Sequence, residues 1–201
     1  MATRRCDTEA RKIQIAEAAV RVIQMQGMAN LSMERIALET GIVPSAIYRH
    51  FQNKDEVLDA VLDLIESRMY ELVDAVNQEG GSALDRLKTL LKRHITLVQH
   101  VQTIPRVLFS DHVYVGNPAR KAKLYAIISG YLERIGEIAK EGLADGSIRQ
   151  DIEHETIPVL MMGMFQPAIM LWFLSDGGFD AARHIDRAWR CFLRGITPDN
   201  V

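Results

Sequence analysis

The sequence predicts an all-α fold: an N-terminal three-helix unit containing a helix-turn-helix, followed by a larger helical domain, with about nine helices in total. Two observations carry this reading. Apolar residues recur at helical spacing through the chain, and no useful stretch alternates with the period of a strand. Glycine, proline and cap-forming side chains punctuate the periodic segments at helix-length intervals. With 201 residues, 48% hydrophobic and 25% charged, the composition is that of a soluble globular chain long enough to bury a core.

The first helix is expected over residues 8–26, with Ile13, Ala16, Val20 and Ile23 on one face and Gly27 ending it. Ser32 reads as the N-cap of a short helix over 33–40, with Glu34 suited to the helix dipole and Gly41 as the stop. Pro44 suits the first turn of a second short helix reaching His50. Asn53, with Glu56 three positions on, has the pattern of a capping box. It opens a long helix along Val57, Val61, Ile65, Met69, Leu72 and Val76, broken at Gly80-Gly81. Further helices follow over 82–102, 105–110, 118–142, 155–175 and 180–195. The domain boundary is placed after residue 52, dividing the chain into 1–52 and 53–201.

The net charge of −2 conceals an asymmetry, because residues 1–55 hold eight Lys/Arg against six Asp/Glu. A mildly basic head on an acidic body suits a polyanion partner for the head. Cys6 and Cys191 fit neither a disulfide scaffold nor a zinc pattern, which makes the reducing cytoplasm the expected setting. The N-terminus lacks the apolar core of a signal peptide. Residues 156–175 carry no formal charge, but Pro158, Gln166, Pro167 and a barely sufficient length favour a buried helix over a membrane span.

The chemistry is concentrated in residues 31–58. Two short helices joined by a tight turn at Gly41 form a helix-turn-helix, whose second helix can enter a major groove. Ile36, Ala37, Ile42, Ile47 and Phe51 are spaced to build its small core. The outward residues are small at Ser45 and Ala46, then aromatic or cationic at Tyr48, Arg49 and His50. Small side chains let the backbone approach base edges, while Tyr, Arg and Lys bind phosphate oxygens. Lys54 adds a cation beside the exposed N–H groups of the next helix.

The patterns Ile13-x-x-Ala16-x-x-x-Val20, Ser32-x-x-x-Ile36-Ala37-x-x-x-Gly41-Ile42 and Ile47-Tyr48-Arg49-His50-Phe51-x-Asn53-Lys54-x-Glu56-x-Leu58 resemble the N-terminal signature of the TetR family of transcriptional regulators. The resemblance implies a homodimeric repressor of double-stranded DNA, bound at a palindromic operator and released by a small-molecule effector. It implies phosphate contacts at Ser32, Tyr48 and Lys54, and base contacts at Pro44, Ser45, Ala46 and His50, with Arg49 a further candidate. This chain departs from the family in having Val43-Pro44 where many members have Ser-Lys. Without that cation and N-cap, readout leans on apolar contact with thymine methyls.

The resemblance further implies a C-terminal domain that binds the effector and dimerises through its last two helices. Residues 159–174 are apolar all round, the mark of a helix buried on every side. Met161, Phe165 and Trp172 share one face, and Met162, Gln166, Met170 and Phe173 another, the latter assigned with Trp189 and Phe192 to the dimer interface. Pro167 should kink this helix, and its methionines suit an irregular cavity. The effector pocket is expected to draw on Met161, Phe165 and Trp172 together with His94, Val98, His112, Tyr125 and Tyr131, for a mainly apolar ligand. The long helix from Asn53 would act as a lever between effector and reader.

Two rival readings meet obstacles in the sequence. A helical metalloenzyme would use the cluster Asp151, Glu153, His154 and Glu155, but a di-metal bundle needs a second Glu-x-x-His motif and none exists. A protein-binding adaptor would leave Tyr48, Arg49, His50 and Lys54 without a role. Neither a phosphate loop nor a nucleophile elbow is present, so no enzyme activity, metal or cofactor is expected.

Overall fold

The structure, a computed structural model, describes residues 2–108 and 110–198; the side chains of residues 2–7 and of His112 lie outside the described set. The helices are α1 (Ala2–Gln26), α2 (Met33–Thr40), α3 (Pro44–Ile47), α4 (Lys54–Glu79), α5 (Ala83–His100), α6 (Thr103–Leu108), α7 (Asp111–Tyr114), α8 (Pro118–Ala144), α9 (Thr156–Leu174) and α10 (Ala181–Ile196), with a 3-10 turn at Met28–Asn30. No strand occurs among the described residues. Every helix expected from the sequence is present. The four-residue α7 is an addition, and α1 begins six residues before the expected start.

The caps explain the boundaries. Ser32 Oγ accepts the Arg35 N–H at 3.3 Å, and Gly41 ends α2 in the left-handed region at φ 73°. At the start of α4, Asn53 Oδ1 accepts the Glu56 N–H at 3.0 Å while the Glu56 carboxylate accepts the Gln52 N–H at 2.8 Å. That reciprocal arrangement satisfies two orphan donors at once. Helix α3 is shorter than expected. After Ile47 the bonds tighten to three-residue spacing, Arg49 N–H to Ala46 O and His50 N–H to Ile47 O, and the resulting turn carries Phe51 into the core.

The chain forms two compact units, one of Met1–Arg68 with Val101–Ala126, the other of Met69–His100 with Ile127–Val201. The first unit is built on Ile15, Ile23, Ile36, Ile47, Val57 and Leu62, all fully buried. Its later segment is tied to the earlier one by polar side chains. Thr103 Oγ1 donates to Val20 O at 2.9 Å, and Arg106 reaches Gln24 O at 3.2 Å. Arg120, only 4% exposed, pairs through Nε with Asp59 at 2.7 Å and through Nη1 with Asp55 at 3.1 Å. Lys123 completes the clasp, reaching Asp63 at 2.5 Å and the Asp59 carbonyl at 2.9 Å.

The second unit buries Leu87, Leu90, Leu91, Ile127, Ile135 and Ile157. Close approach is permitted at Gly130, where a Cβ would stand 2.1 Å from the Tyr70 hydroxyl oxygen, and Arg134 lies over the Tyr70 ring at 4.1 Å. Helix α9 continues through Pro167. The expectation that α9 is buried on every side is corrected. Ile157, Met161, Phe165, Ala168 and Ile169 are buried, and the helix packs on α5 and α10. Val159, Leu160, Met170, Leu171, Phe173 and Leu174 are exposed, because no element among the described residues covers their side. The helix is long and apolar enough to cross a membrane by length and composition, with a third of that stretch buried within the chain.

Ile36, fully buried in the first unit, and Leu38, 83% exposed on the same helix, make a matched pair. Ile36→Ala is expected to lower the unfolding free energy by about 2–5 kcal/mol in urea titrations. Leu38→Ala should change it by no more than about 0.5 kcal/mol.

Candidate functional site

In the first unit, Gly41 turns the chain between α2 and α3, and Ile36, Ala37 and Ile47 are buried. Pro44, Ser45, Tyr48, Arg49 and Lys54 are exposed, and Ser32 and Ala46 are half-buried. Val43 precedes α3 with no side-chain cap bond, and Pro44 occupies its first turn. Proline suits that place because its missing N–H would have no helical partner there. The Glu34 carboxyl is held below its usual range by its own main-chain N–H first and by the Ser32 hydroxyl second. Arg35 is engaged by the Gln26 side chain, and Arg21 by Glu39 at 2.7 Å.

His50 differs from its neighbours. Its ring is half-buried, lines a cleft formed with α1 and α4, and leaves Nδ1 buried without a hydrogen-bond partner. The Asp55, Asp59 and Asp63 clasp on Arg120 and Lys123 was missed from the sequence. Its signal was available in the four-residue spacing of the three carboxylates, which puts them on one face of α4.

In the second unit, His94, Val98, Tyr131, Met161 and Phe165 are all buried. The His94 Nδ1 and the Tyr131 hydroxyl share a hydrogen bond of 2.9 Å, and the His94 ring lies on Phe165 with centroids 3.9 Å apart. Burial pushes His94 down to about 4 and pushes Tyr131 up, so both are neutral near pH 7. The cluster is therefore an apolar site with one neutral polar pair. Trp172, half-buried, stands beside Gly177 at the end of α9. Tyr125 belongs to the first unit and is 75% exposed, while the His112 side chain is outside the described residues.

Of the residues assigned to a dimer interface, Gln166, Met170 and Phe173 are exposed and Met162 and Phe192 half-buried. Trp189 is buried within its own unit, 5.5 Å from the Phe192 ring centroid. His154 meets Glu155 at 3.1 Å, and no group of three His, Cys, Asp or Glu able to hold a metal occurs among the described residues.

The profile described as "Bacterial regulatory proteins, tetR family" matches residues 15–61, and that of "YsiA-like protein, C-terminal region" matches 55–195. The fatty acid metabolism regulator protein of Bacillus subtilis (strain 168) is 23% identical over 187 residues, covering 92% of this chain and 94% of its own length. The crystal structure of the transcriptional regulator FadR from Bacillus subtilis in complex with stearoyl-CoA superposes with a TM-score of 0.76 at 22% identity, covering 91% of this chain and 98% of the other. The fatty acid degradation regulator FadR from Bacillus halodurans has a TM-score of 0.76 at 23% identity, covering 90% and 97%.

The buried His94 gives a pH signature. An unfolded chain protonates it below about pH 6.5 while the folded chain stays neutral until about pH 4, so the unfolded state binds more protons between those values. Stability is expected to fall as the pH drops through this window, by about 3 kcal/mol in full. Subtracting the profile of His94→Gln from that of the parent, by denaturant melts at each pH, should isolate this contribution. Superposable profiles would contradict it.

Proposed function

Because the chain belongs to the TetR family of bacterial regulatory proteins, dimeric DNA-binding transcriptional regulators with a ligand-binding C-terminal domain, we propose that it is a cytoplasmic, non-catalytic repressor released from a palindromic operator by a small effector with a mainly apolar body, such as the acyl chain of a fatty acyl-CoA. The observation that carries the reader is the joint exposure of Pro44, Ser45, Tyr48, Arg49 and Lys54 around α3 and the first turn of α4. Ser32, Tyr48 and Lys54 hold phosphates, while Pro44, Ser45, Ala46 and Arg49 face base edges; the inward ring of His50 takes the expected base contact at that position away. The functional boundary falls between residues 52 and 53. The acyl chain lies in the second unit against Val98, Met161 and Phe165, with the His94–Tyr131 pair as its polar contact. The fatty-acid regulators that this chain resembles, one of them bound to stearoyl-CoA, support that ligand class.

Two copies meet through the exposed apolar side of α9, using Gln166, Met170 and Phe173 with Met162 and Phe192 at its margin. This reading accounts for an apolar surface that water would otherwise contact. The readers must stand about 34 Å apart to enter successive major grooves. An effector that favours a different separation weakens operator binding through its differential affinity for the two dimer states. Helices α4 and α8 each contribute residues to both compact units, which suits them to carry the change.

Fluorescence anisotropy on DNA from upstream of the gene, in a salt series, tests the reader. Binding should exceed that to a scrambled duplex and fall with salt. Lys54→Ala should weaken binding to both duplexes and reduce the log–log salt slope by about 1. Stearoyl-CoA should release the operator, whereas coenzyme A alone should not. Equal, weak binding to both duplexes by the parent protein would overturn the reader assignment.

A further inference from the structure

The cleft at His50 is unlike an ordinary helix seam. Helix α1 presents Glu9, Ile13 and Ala16 along one stripe, and α4 presents Glu56, Ala60 and Leu64 along another. Stripes at this spacing normally interdigitate. Here they leave an open cleft of about 480 Å³, with Phe51 and His50 at its end. Ile13 stays 53% exposed although it lies near the core-forming residues of its helix. The floor is therefore apolar and unfilled.

The rim has the opposite character. Glu9, Glu56, Asp59 and Asp63 border the cleft, and Lys12 is the cation in the lining. Arg120 engages Asp59 and Lys123 engages Asp63, while Lys12 reaches Glu9 at 3.5 Å. Among the described side chains one negative charge, that of Glu56, is left over after these pairings. The His50 Nδ1 supplies a buried ring nitrogen with no protein partner. Among the described residues no three acidic or histidine side chains converge closely enough to hold a metal ion.

We propose that this cleft in the DNA-binding unit is a second ligand site, selective for a small amphipathic organic cation with an N–H donor. The apolar chain of the ligand covers Ile13, Ala16 and Leu64. Its ammonium group lies at the acidic rim, beside Glu9 and Glu56. An anionic ligand of the same shape is disfavoured by the same carboxylates. The site is separate from the neutral His94 cluster, and its existence does not depend on the effector assigned there.

The test is methyl NMR of the full-length protein, labelled at Ile, Leu and Ala, titrated with decylammonium below its critical micelle concentration and in parallel with decanoate. Saturable shifts are expected at Ile13, Ala60 and Leu64 with decylammonium, with affinity about tenfold above that for decanoate. Ala60→Phe, which fills the cleft, should weaken decylammonium about tenfold. Glu9→Gln should weaken it about two- to fivefold by removing one rim charge. Should Ala60→Phe fail to fold, Ile13→Ser at its exposed position serves instead and should also weaken binding. Shifts confined to the methyls around His94, or equal affinity for decanoate, would overturn the proposal.

Discussion

The guanidinium of Arg120 is the group on which the arrangement of the first unit turns. It is buried to all but 4% of its surface, an environment in which an unpaired cation costs several kcal/mol. Asp59 and Asp55 must therefore be held beside it, and both project from the first two turns of α4. Because those carboxylates keep much of their own surface in water, only one member of each pair is fully desolvated. This makes the arrangement less costly than a wholly buried ion pair while still specifying its geometry. The helix that follows the reader is thus held to the first turns of α8 at defined atoms. Thr103 and Arg106 do the same for α1 by engaging main-chain carbonyls, that of Gln24 lying among the last four of the helix, which lack a helical partner.

A second constraint comes from α9, which holds more apolar surface than one chain can cover. Its buried side meets α5 and α10, and six large apolar residues remain exposed on the other. An isolated apolar residue at a surface is ordinary, but a contiguous row along a helix marks an interaction surface. The same surplus lets the helix satisfy the length and hydropathy of a membrane span. Family membership supplies the more economical account, since regulators of this family act as dimers and a second copy presents the same row.

Much of this was legible in the sequence because it is local. Ser32, Gly41, Asn53 with Glu56, and Gly80-Gly81 mark boundaries through hydrogen bonds and backbone angles set within a few residues, and the structure uses each one. Helix α3 ended early because the chain must turn to bury Phe51, a demand that comes from the core and not from residues 48–50 themselves. The short α7 has too few residues to show a period. The union of residues 101–126 with the reader was not legible at all, since it depends on contacts separated by some sixty to eighty positions. At the candidate site, the exposure of Tyr48, Arg49 and Lys54 was legible from their polar character around the second short helix, although Tyr48 and Arg49 lie in the turn after α3 and Lys54 opens α4. The inward position of the His50 ring did not, because an unfilled cleft leaves no pattern in the sequence.

The Val43-Pro44 pair links these points to selectivity. A proline in the first turn of α3 stiffens the reading helix but brings no cation to a guanine edge. A good bidentate base contact discriminates by about 1–3 kcal/mol, and two half-sites would double its loss. Under the proposed assignment what remains is Arg49, phosphate attraction, which is blind to sequence, and apolar contact with thymine methyls, which is weak. The spacing between the two readers must then carry a larger share of the selection, because only correctly separated half-sites let both copies bind together. In the proposed dimer the spacing would depend on how firmly α4 is held, and the Arg120 clasp holds its first turns. A reader poor in base contacts and a helix fastened by a buried cation are therefore parts of one design: the less the side chains say about sequence, the more the geometry behind them has to say.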